Sequence, residues 1–254
     1  KIKNHINGQW LDESNGQYQP LKNPSTGTVI GEVPLSSVAT SRAAVAAAAE
    51  AFPAWSATPL PKRMDYIFKM QQVMKDNLEM LAQAIAIDQA KHIAEARGEV
   101  GRVIEILQMA CTIPALIQGD TVQGIANNIN GRLIKAPLGV FCGVAPFNFP
   151  ALVFGWFIPF AIGAGNTFVY KPSTESPLFM QKMMQLLVDI GLPDGVVNIV
   201  HGDRETVEAW YEDDNITGVC LVGSTPTAKA IAEGCGRGGK KTMLLGGAKN
   251  FCVA

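Results

Sequence analysis

From Ala136 to Tyr170 the chain carries no charged side chain, and this run limits the possible folds more than any other feature. A stretch of that length and polarity leaves water, either across a bilayer or into a protein core. The bilayer option fails on the breakers. Pro137, Pro146, Pro150 and Pro159, with Asn148 and Asn166, cut the run into pieces too short to cross as one helix. A buried strand, turn, helix and second strand remains. The same texture continues downstream, where GVFCGVAPF, NTFVYKP, VVNIVHG, GVCLVGS and KTMLLGG alternate with helical segments such as SPLFMQKMMQLLVDIG and TPTAKAIAEGCGRG. Short apolar strands separated by helices predict an α/β fold: a doubly wound parallel sheet with helices on both faces and ligands beyond the carboxyl ends of its strands.

Upstream the texture differs. Residues 1–40 hold turn-rich pieces (NGQW, NPSTG, GEVP) between short β-like runs, which predicts a small hairpin region. From Ser41 to about Ile117, apolar residues recur at three- and four-residue spacing in three runs, which predicts three helices. Residues 118–136 are polar and strand-like around Asn130-Gly131, which predicts a projecting hairpin turning at that dipeptide. The expected division is therefore 1–117, 118–136 and 137–254.

Composition excludes several classes. Twenty-one Lys and Arg against 22 Asp and Glu, a formal net charge of −1, leave no electrostatic signature for nucleic acid or an anionic membrane. Five cysteines without a CxxC pair suit a reducing compartment and structural burial, and three scattered histidines make a metal site unexpected. The opening KIKNHINGQW has neither an initiator Met nor a signal-peptide apolar run, so a trimmed start and a cytoplasmic location are expected, with the mitochondrial matrix as the eukaryotic alternative.

No GxGxxG follows the first strand of the alternating region, so the chemistry has to be read from the strand ends. Asn148, in APFNFP after GVFCGV, either satisfies its own turn or donates from its amide to a developing oxyanion. Lys171, after NTFVY, is either a surface lysine or a point charge for a ribose or phosphate. Gly223-Ser224-Thr225-Pro226 is either an ordinary helix cap or an anion site at a helix amino terminus.

Taken in order, INGQW (6–10), NPSTG (23–27), AFPAW (51–55), APFNFP (145–150), GNTFVYKPS (165–173), GLPDGVVNIVHG (191–202), LVGST (221–225) and LLGGAKN (244–250) resemble the aldehyde dehydrogenase superfamily over essentially the whole chain. The resemblance implies a Rossmann-like domain that holds NAD with its pyrophosphate at the helix after the fourth strand, which accounts for the missing fingerprint. Carried over by position, Asn148 resembles the oxyanion-hole amide, Lys171 the adenosine-ribose contact and Ser224 the pyrophosphate contact. Val144, Ala145, Pro146, Phe147, Ser173, Thr174, Gly202 and Gly223 complete the implied cofactor site. Residues 118–136 would be the strand pair that joins subunits into a homodimer or homotetramer.

Departures point to a branch. Hydrolytic members place a water-activating Glu where this chain has Leu244, and a leucine takes no proton. Many of them also have Trp where Phe147 stands. GVAPFNFP, NIVHG and GGAKN look most like methylmalonate- or malonate-semialdehyde dehydrogenase, a branch that passes its acyl group to coenzyme A. There an arginine one helix before APFNFP is implicated in gripping the substrate carboxylate, and Arg102 matches it; the other reading is a helix-surface Arg paired with Glu99 or Glu105. Thr174 stands where NAD-preferring members have a ribose-binding Glu, so NADP is expected to be tolerated. The family's nucleophilic cysteine lies beyond GGAKN, and the residues up to Ala254 contain none in its context. The expectation is the amino-terminal, cofactor-binding portion of an enzyme oxidising a small acidic aldehyde, able by itself to bind dinucleotide but not to turn over. The alternatives are a hydrolytic dehydrogenase of the succinate-semialdehyde type and a non-catalytic nucleotide-binding module.

Overall fold

The computed structural model describes residues 1–14, 16–248 and 251–253. Lys249 and Asn250 of the LLGGAKN motif, and Ala254, lie outside them. Two short strands open the chain, β1 (Asn4–Ile6) and β2 (Gln9–Leu11), joined at Asn7-Gly8, where both residues take positive φ as a tight two-residue hairpin demands. Then β3 (Tyr18–Lys22) and β4 (Val29–Pro34) pair in a separate two-stranded sheet. Five helices follow: α1 (Val38–Ala57), α2 (Leu60–Asp76), α3 (Leu78–Gln89), α4 (Ile93–Ala110) and the single turn α5 (Ile113–Leu116). The hairpin of β5 (Thr121–Ala126) and β6 (Ile129–Arg132) leads into the alternating region: β7 (Val140–Val144), α6 (Pro150–Gly163), β8 (Thr167–Lys171), α7 (Leu178–Asp189), β9 (Val197–Ile199), α8 (Arg204–Glu208), β10 (Ile216–Val222), α9 (Thr225–Arg237) and β11 (Lys241–Leu245).

The central sheet has the order β11-β10-β7-β8-β9-β1-β2. Its first five strands are parallel, and β1 and β2 close one edge antiparallel. Strand side chains alternate between two cores, as a sheet covered on both faces requires. Phe168 and Tyr170 of β8 join Phe154 of α6, Phe179 of α7 and Val100 and Leu107 of α4 on one face. Val169 of the same strand turns to the other face, with Cys142, Val219, Trp210, Ile231 and Ala44, Val45 and Ala48 of α1. The apolar run that excluded water is thus accounted for. Helix α6 is wedged against α4 closely enough that a Cβ at Gly155 would lie 2.9 Å from Val103 Cγ1. Among the described residues no helix is long and apolar enough to cross a membrane.

Four details differ from the sequence reading. The second helical run is two helices, because the chain leaves helical geometry at Asn77 (φ −113, ψ 18), whose side-chain amide donates to Val73 O at 2.8 Å beside its own backbone N–H at 3.0 Å. The 118–136 hairpin turns at Asn127-Asn128, not Asn130-Gly131: Ala126 pairs with Ile129, Asn128 takes φ 64, and Asn130 Oδ1 instead accepts from Gly124 N at 2.9 Å inside the hairpin. The opening hairpin is the edge of the main sheet. Buried polar groups hold it there: Asn4 Oδ1 accepts from His201 N at 2.8 Å, and Asn198 Oδ1 accepts from Asn7 N at 2.9 Å. Finally, Cys142, Cys220 and Cys235 are buried and Cys111 half-buried, but Cys252 is exposed, contrary to the expectation that all five are interior.

Candidate functional site

The parallel register brings several strand ends to one level, since Val144 pairs with both Lys171 and Leu221 while Tyr170 pairs with Ile199. Beyond that level lies a cavity of about 460 Å³. Val144 and Ala145 at the end of β7, Lys171, Ser173 and Thr174 at the end of β8, and Gly202 after β9 line it, and all six were expected site residues. Its far wall is the first turns of α9, through Pro226, Thr227, Ala230 and Ile231. Here the fold places its topological switch, because β7 to β9 run outward on one side and β10 returns beside β7 on the other.

Lys171 is not a surface lysine. It is 8% exposed, and its ammonium donates to Gly202 O at 2.8 Å and to Pro172 O at 3.2 Å. Burial lowers its pKa to about 8, partly offset by the carboxylate of Asp203. His201 is buried beside it and is pushed down to about 3, first by burial and then by the Lys171 charge, so the imidazole stays neutral at physiological pH. Gly202 has to be glycine: it takes φ 148, and a Cβ there would sit 2.1 Å from Thr206 Oγ1. Ser224 is the N-cap of α9, its hydroxyl accepting from Thr227 N at 3.4 Å and lying 2.9 Å from Thr227 Oγ1. Neither Gly223 nor Ser224 lines the cavity itself; the helix they introduce does.

Asn148 sits in the exposed turn between β7 and α6. Its backbone oxygen accepts from Lys91 Nζ at 2.7 Å, and among the described residues its carboxamide takes no hydrogen-bond partner. Phe147 does not line the first cavity and, with Thr174, lines a second of about 530 Å³ beside Asp88, Gln89 and Lys22. Burial raises the Asp88 carboxyl to about 7 even though Leu178 N and Ser176 Oγ donate to it. Pro146 lines neither cavity. Arg102 is not drawn into the strand-end cluster: it lies exposed on α4 and donates to Glu105 Oε2 at 2.9 Å, which is the helix-surface pairing. Leu244 is half-buried in β11 and packs against the α1 and α9 face of the sheet. No group of three or more His, Cys, Asp or Glu with metal-binding geometry occurs among the described residues.

The aldehyde dehydrogenase family model matches residues 10–254. The chain belongs to the aldehyde dehydrogenase family. Over 252 residues it is 40% identical to malonate-semialdehyde dehydrogenase 1 of Oceanobacillus iheyensis, covering 99% of this chain and 52% of that protein. The methylmalonate-semialdehyde dehydrogenase of Oceanimonas doudoroffii superposes with a TM-score of 0.95 at 38% identity, over 98% of this chain and 51% of that one. A Sinorhizobium meliloti protein solved in complex with NAD superposes with a TM-score of 0.94 at 34% identity, over 98% and 51%. The chain spans about half the length of the curated relatives it matches.

Among the cavity residues, Pro226 was part of the candidate helix-terminus motif, whereas Asp203, Arg204, Val207, Tyr211, Thr227, Ala230 and Ile231 escaped the sequence reading. A signal existed for Thr227. If Ser224 caps a helix whose amino terminus faces a ligand, the residues two and three positions on face it too. Val207 and Tyr211 lie on and just past the single turn α8, too short to show a helical period.

Proposed function

We propose that the protein carrying this chain oxidises a small acidic semialdehyde of the malonate or methylmalonate type, using a nicotinamide dinucleotide held in the strand-end cavity, and transfers the acyl group to coenzyme A. The observation that carries the reading is the convergence of Lys171, Gly202 and the amino terminus of α9 on one cavity, in a chain whose 40%-identical relative is a malonate-semialdehyde dehydrogenase. The cavity fits a dinucleotide. It offers a buried cation at one strand end, apolar walls from Val207 and Ile231, and a helix amino terminus suited to an anion. When bound, the dinucleotide accepts hydride from the substrate carbon.

The chain's own residues do the rest. Lys171 donates to ribose hydroxyls from a fixed position, and the first-turn amides of α9 receive the pyrophosphate. Thr174 adds no negative charge where a 2′-phosphate would lie, so NADP is accepted alongside NAD. Asn148 donates from its carboxamide to the oxyanion that develops at the aldehyde carbon. Arg102, whose second guanidinium nitrogen is uncommitted in the solvent-facing ion pair, grips the substrate carboxylate. Leu244 leaves the acyl group without a water-activating base at that position.

The decisive experiment is steady-state oxidation of malonate and methylmalonate semialdehyde by the full-length protein, with and without coenzyme A. The expected result is a single burst of reduced dinucleotide that stalls without the thiol and turns over to an acyl thioester with it. Equal rates and free acid as the sole product would place the protein among hydrolytic dehydrogenases.

We also infer that β5 and β6 join subunits. Val122, Ile125 and Ile129 stand more than half exposed on a two-stranded ribbon, an arrangement unstable in water unless it is paired. Sedimentation of the full-length protein at micromolar concentration should give a dimer or tetramer, and Ile125→Glu should shift it to smaller species. A monomeric parent would overturn this assignment.

A further inference from the structure

We infer that Lys91 and Glu99 form a positioning pair for Asn148, fixing the turn that presents its carboxamide; the inference rests on the reading of Asn148 as the oxyanion donor. Neither residue belongs to a hydrophobic pattern or lines the dinucleotide cavity. Glu99 lies on α4 with its side chain only 1% exposed, and Lys91 lies in the α3–α4 link, directly after Ala90, which takes the left-handed conformation (φ 55).

Their contacts all lead to the 148–152 segment. Glu99 Oε2 is 2.5 Å from Lys91 Nζ, and Oε1 accepts from Ala151 N at 2.9 Å and Leu152 N at 3.3 Å. Lys91 Nζ donates to Asn148 O at 2.7 Å and lies 4.3 Å from the centre of the Phe149 ring. The turn is therefore tethered on both sides of Phe149. This matters because α6 has no cap of its own: Phe149 supplies no side-chain acceptor, and the first-turn amides would otherwise be orphaned. Glu99, reaching in from another helix, supplies the acceptor and the negative charge that a helix amino terminus favours.

Stability alone is a poor account of such a pair. Two charges withdrawn from water cost several kcal/mol each, and packed apolar side chains commonly serve a fold as well or better. What the pair adds is geometry. It bonds the carbonyl of an exposed residue and the first-turn amides that follow it, while that residue's own side chain is left unbonded, the arrangement expected of support for a donor that must be aimed. An oxyanion donor acts only when it meets the oxyanion at hydrogen-bond distance, and a displacement of about 1 Å costs on the order of a hundredfold in rate.

The test uses the full-length enzyme. Glu99→Gln keeps one carbonyl oxygen for the amides of Ala151 and Leu152 and removes the charge that Lys91 meets. It is expected to lower kcat roughly tenfold to a hundredfold, with dinucleotide affinity unchanged, and Asn148→Ala/Glu99→Gln should be no slower than Asn148→Ala alone. That non-additivity separates positioning from general destabilisation, which would multiply the two losses. Should Glu99→Gln fail to fold, Lys91→Met/Glu99→Gln removes both charges together and carries the same readouts. A parental kcat in the folded variant, or losses that multiply with Asn148→Ala, overturns the inference while a slow Asn148→Ala leaves the reading of the site intact. A parental rate in Asn148→Ala overturns that reading, and this inference with it.

Discussion

Replacing Asn148 by alanine in the full-length enzyme is expected to lower kcat by about a hundredfold to a thousandfold, the usual consequence of removing one oxyanion-hole donor, or roughly 3–4 kcal/mol of transition-state stabilisation. The size of the effect follows from what the residue does in the absence of substrate. Its carboxamide bonds to nothing among the described residues, so no folding energy is lost with it, and the whole loss falls on the reaction. Dinucleotide affinity and melting temperature should stay at parental values, because the cavity lined by Lys171 and α9 does not include Asn148. Asn148→Asp is the sharper variant. A carboxylate at that position repels the developing oxyanion, so it should be at least as slow as alanine despite its matching shape. If single-turnover reduction of the dinucleotide proceeds at the parental rate in Asn148→Ala, the oxyanion is held by other groups.

The sequence revealed more about the sheet than about its support, for a physical reason. Strands β7 to β10 each bury side chains on one or both faces, so burial is written into residue type, and the ends of those strands could be read directly as site positions. Lys171 was visible as a cation closing an apolar strand, although its alternative reading as a surface lysine was settled only by its bond to Gly202 O. Hydrogen bonds leave no such trace. The attachment of β1 to β9 depends on Asn4 and Asn198, and the helix turn that follows APFNFP depends on Glu99, 52 residues before the Ala151 amide it accepts from. In sequence each of these is one polar residue among many.

Arg102 illustrates the same limit from the other side. The chain itself gives its guanidinium only Glu105, and the helix face that carries both is open to solvent. Its part in gripping a substrate carboxylate therefore belongs to the proposal about the longer protein. The GGAKN motif likewise continues into residues outside those described.

Lys171→Met is expected to weaken dinucleotide binding at least tenfold, about 1.4 kcal/mol, while leaving the unliganded protein as stable as the parent or more so. The opposite signs come from burial. An unfolded lysine takes up its proton as pH falls through its ordinary value of 10.5, whereas Lys171 in the fold does so only near 8. The folded state is therefore penalised progressively as pH drops from about 10.5 to 8, and the full penalty, about 3 kcal/mol, persists at every lower pH. Methionine removes that cost; of the two carbonyls that lose the ammonium, Gly202 O and Pro172 O, the first belongs to a residue lining a cavity that water can enter. What methionine cannot do is donate to a ribose, and a hydrogen bond from a charged donor contributes roughly 1.5–3 kcal/mol. The parental affinity should in turn fall as pH rises through about 8 and the ammonium is lost, while the weaker affinity of Lys171→Met should be flat over the same range. Because ribose oxygens favour the protonated amine, binding between pH 8 and 9 should also take up a proton. Calorimetry of the full-length protein in two buffers of different ionisation heat measures that uptake directly. Equal heats in both buffers, or a parental affinity independent of pH from 7 to 9.5, would show that Lys171 does not meet the dinucleotide as a charged donor.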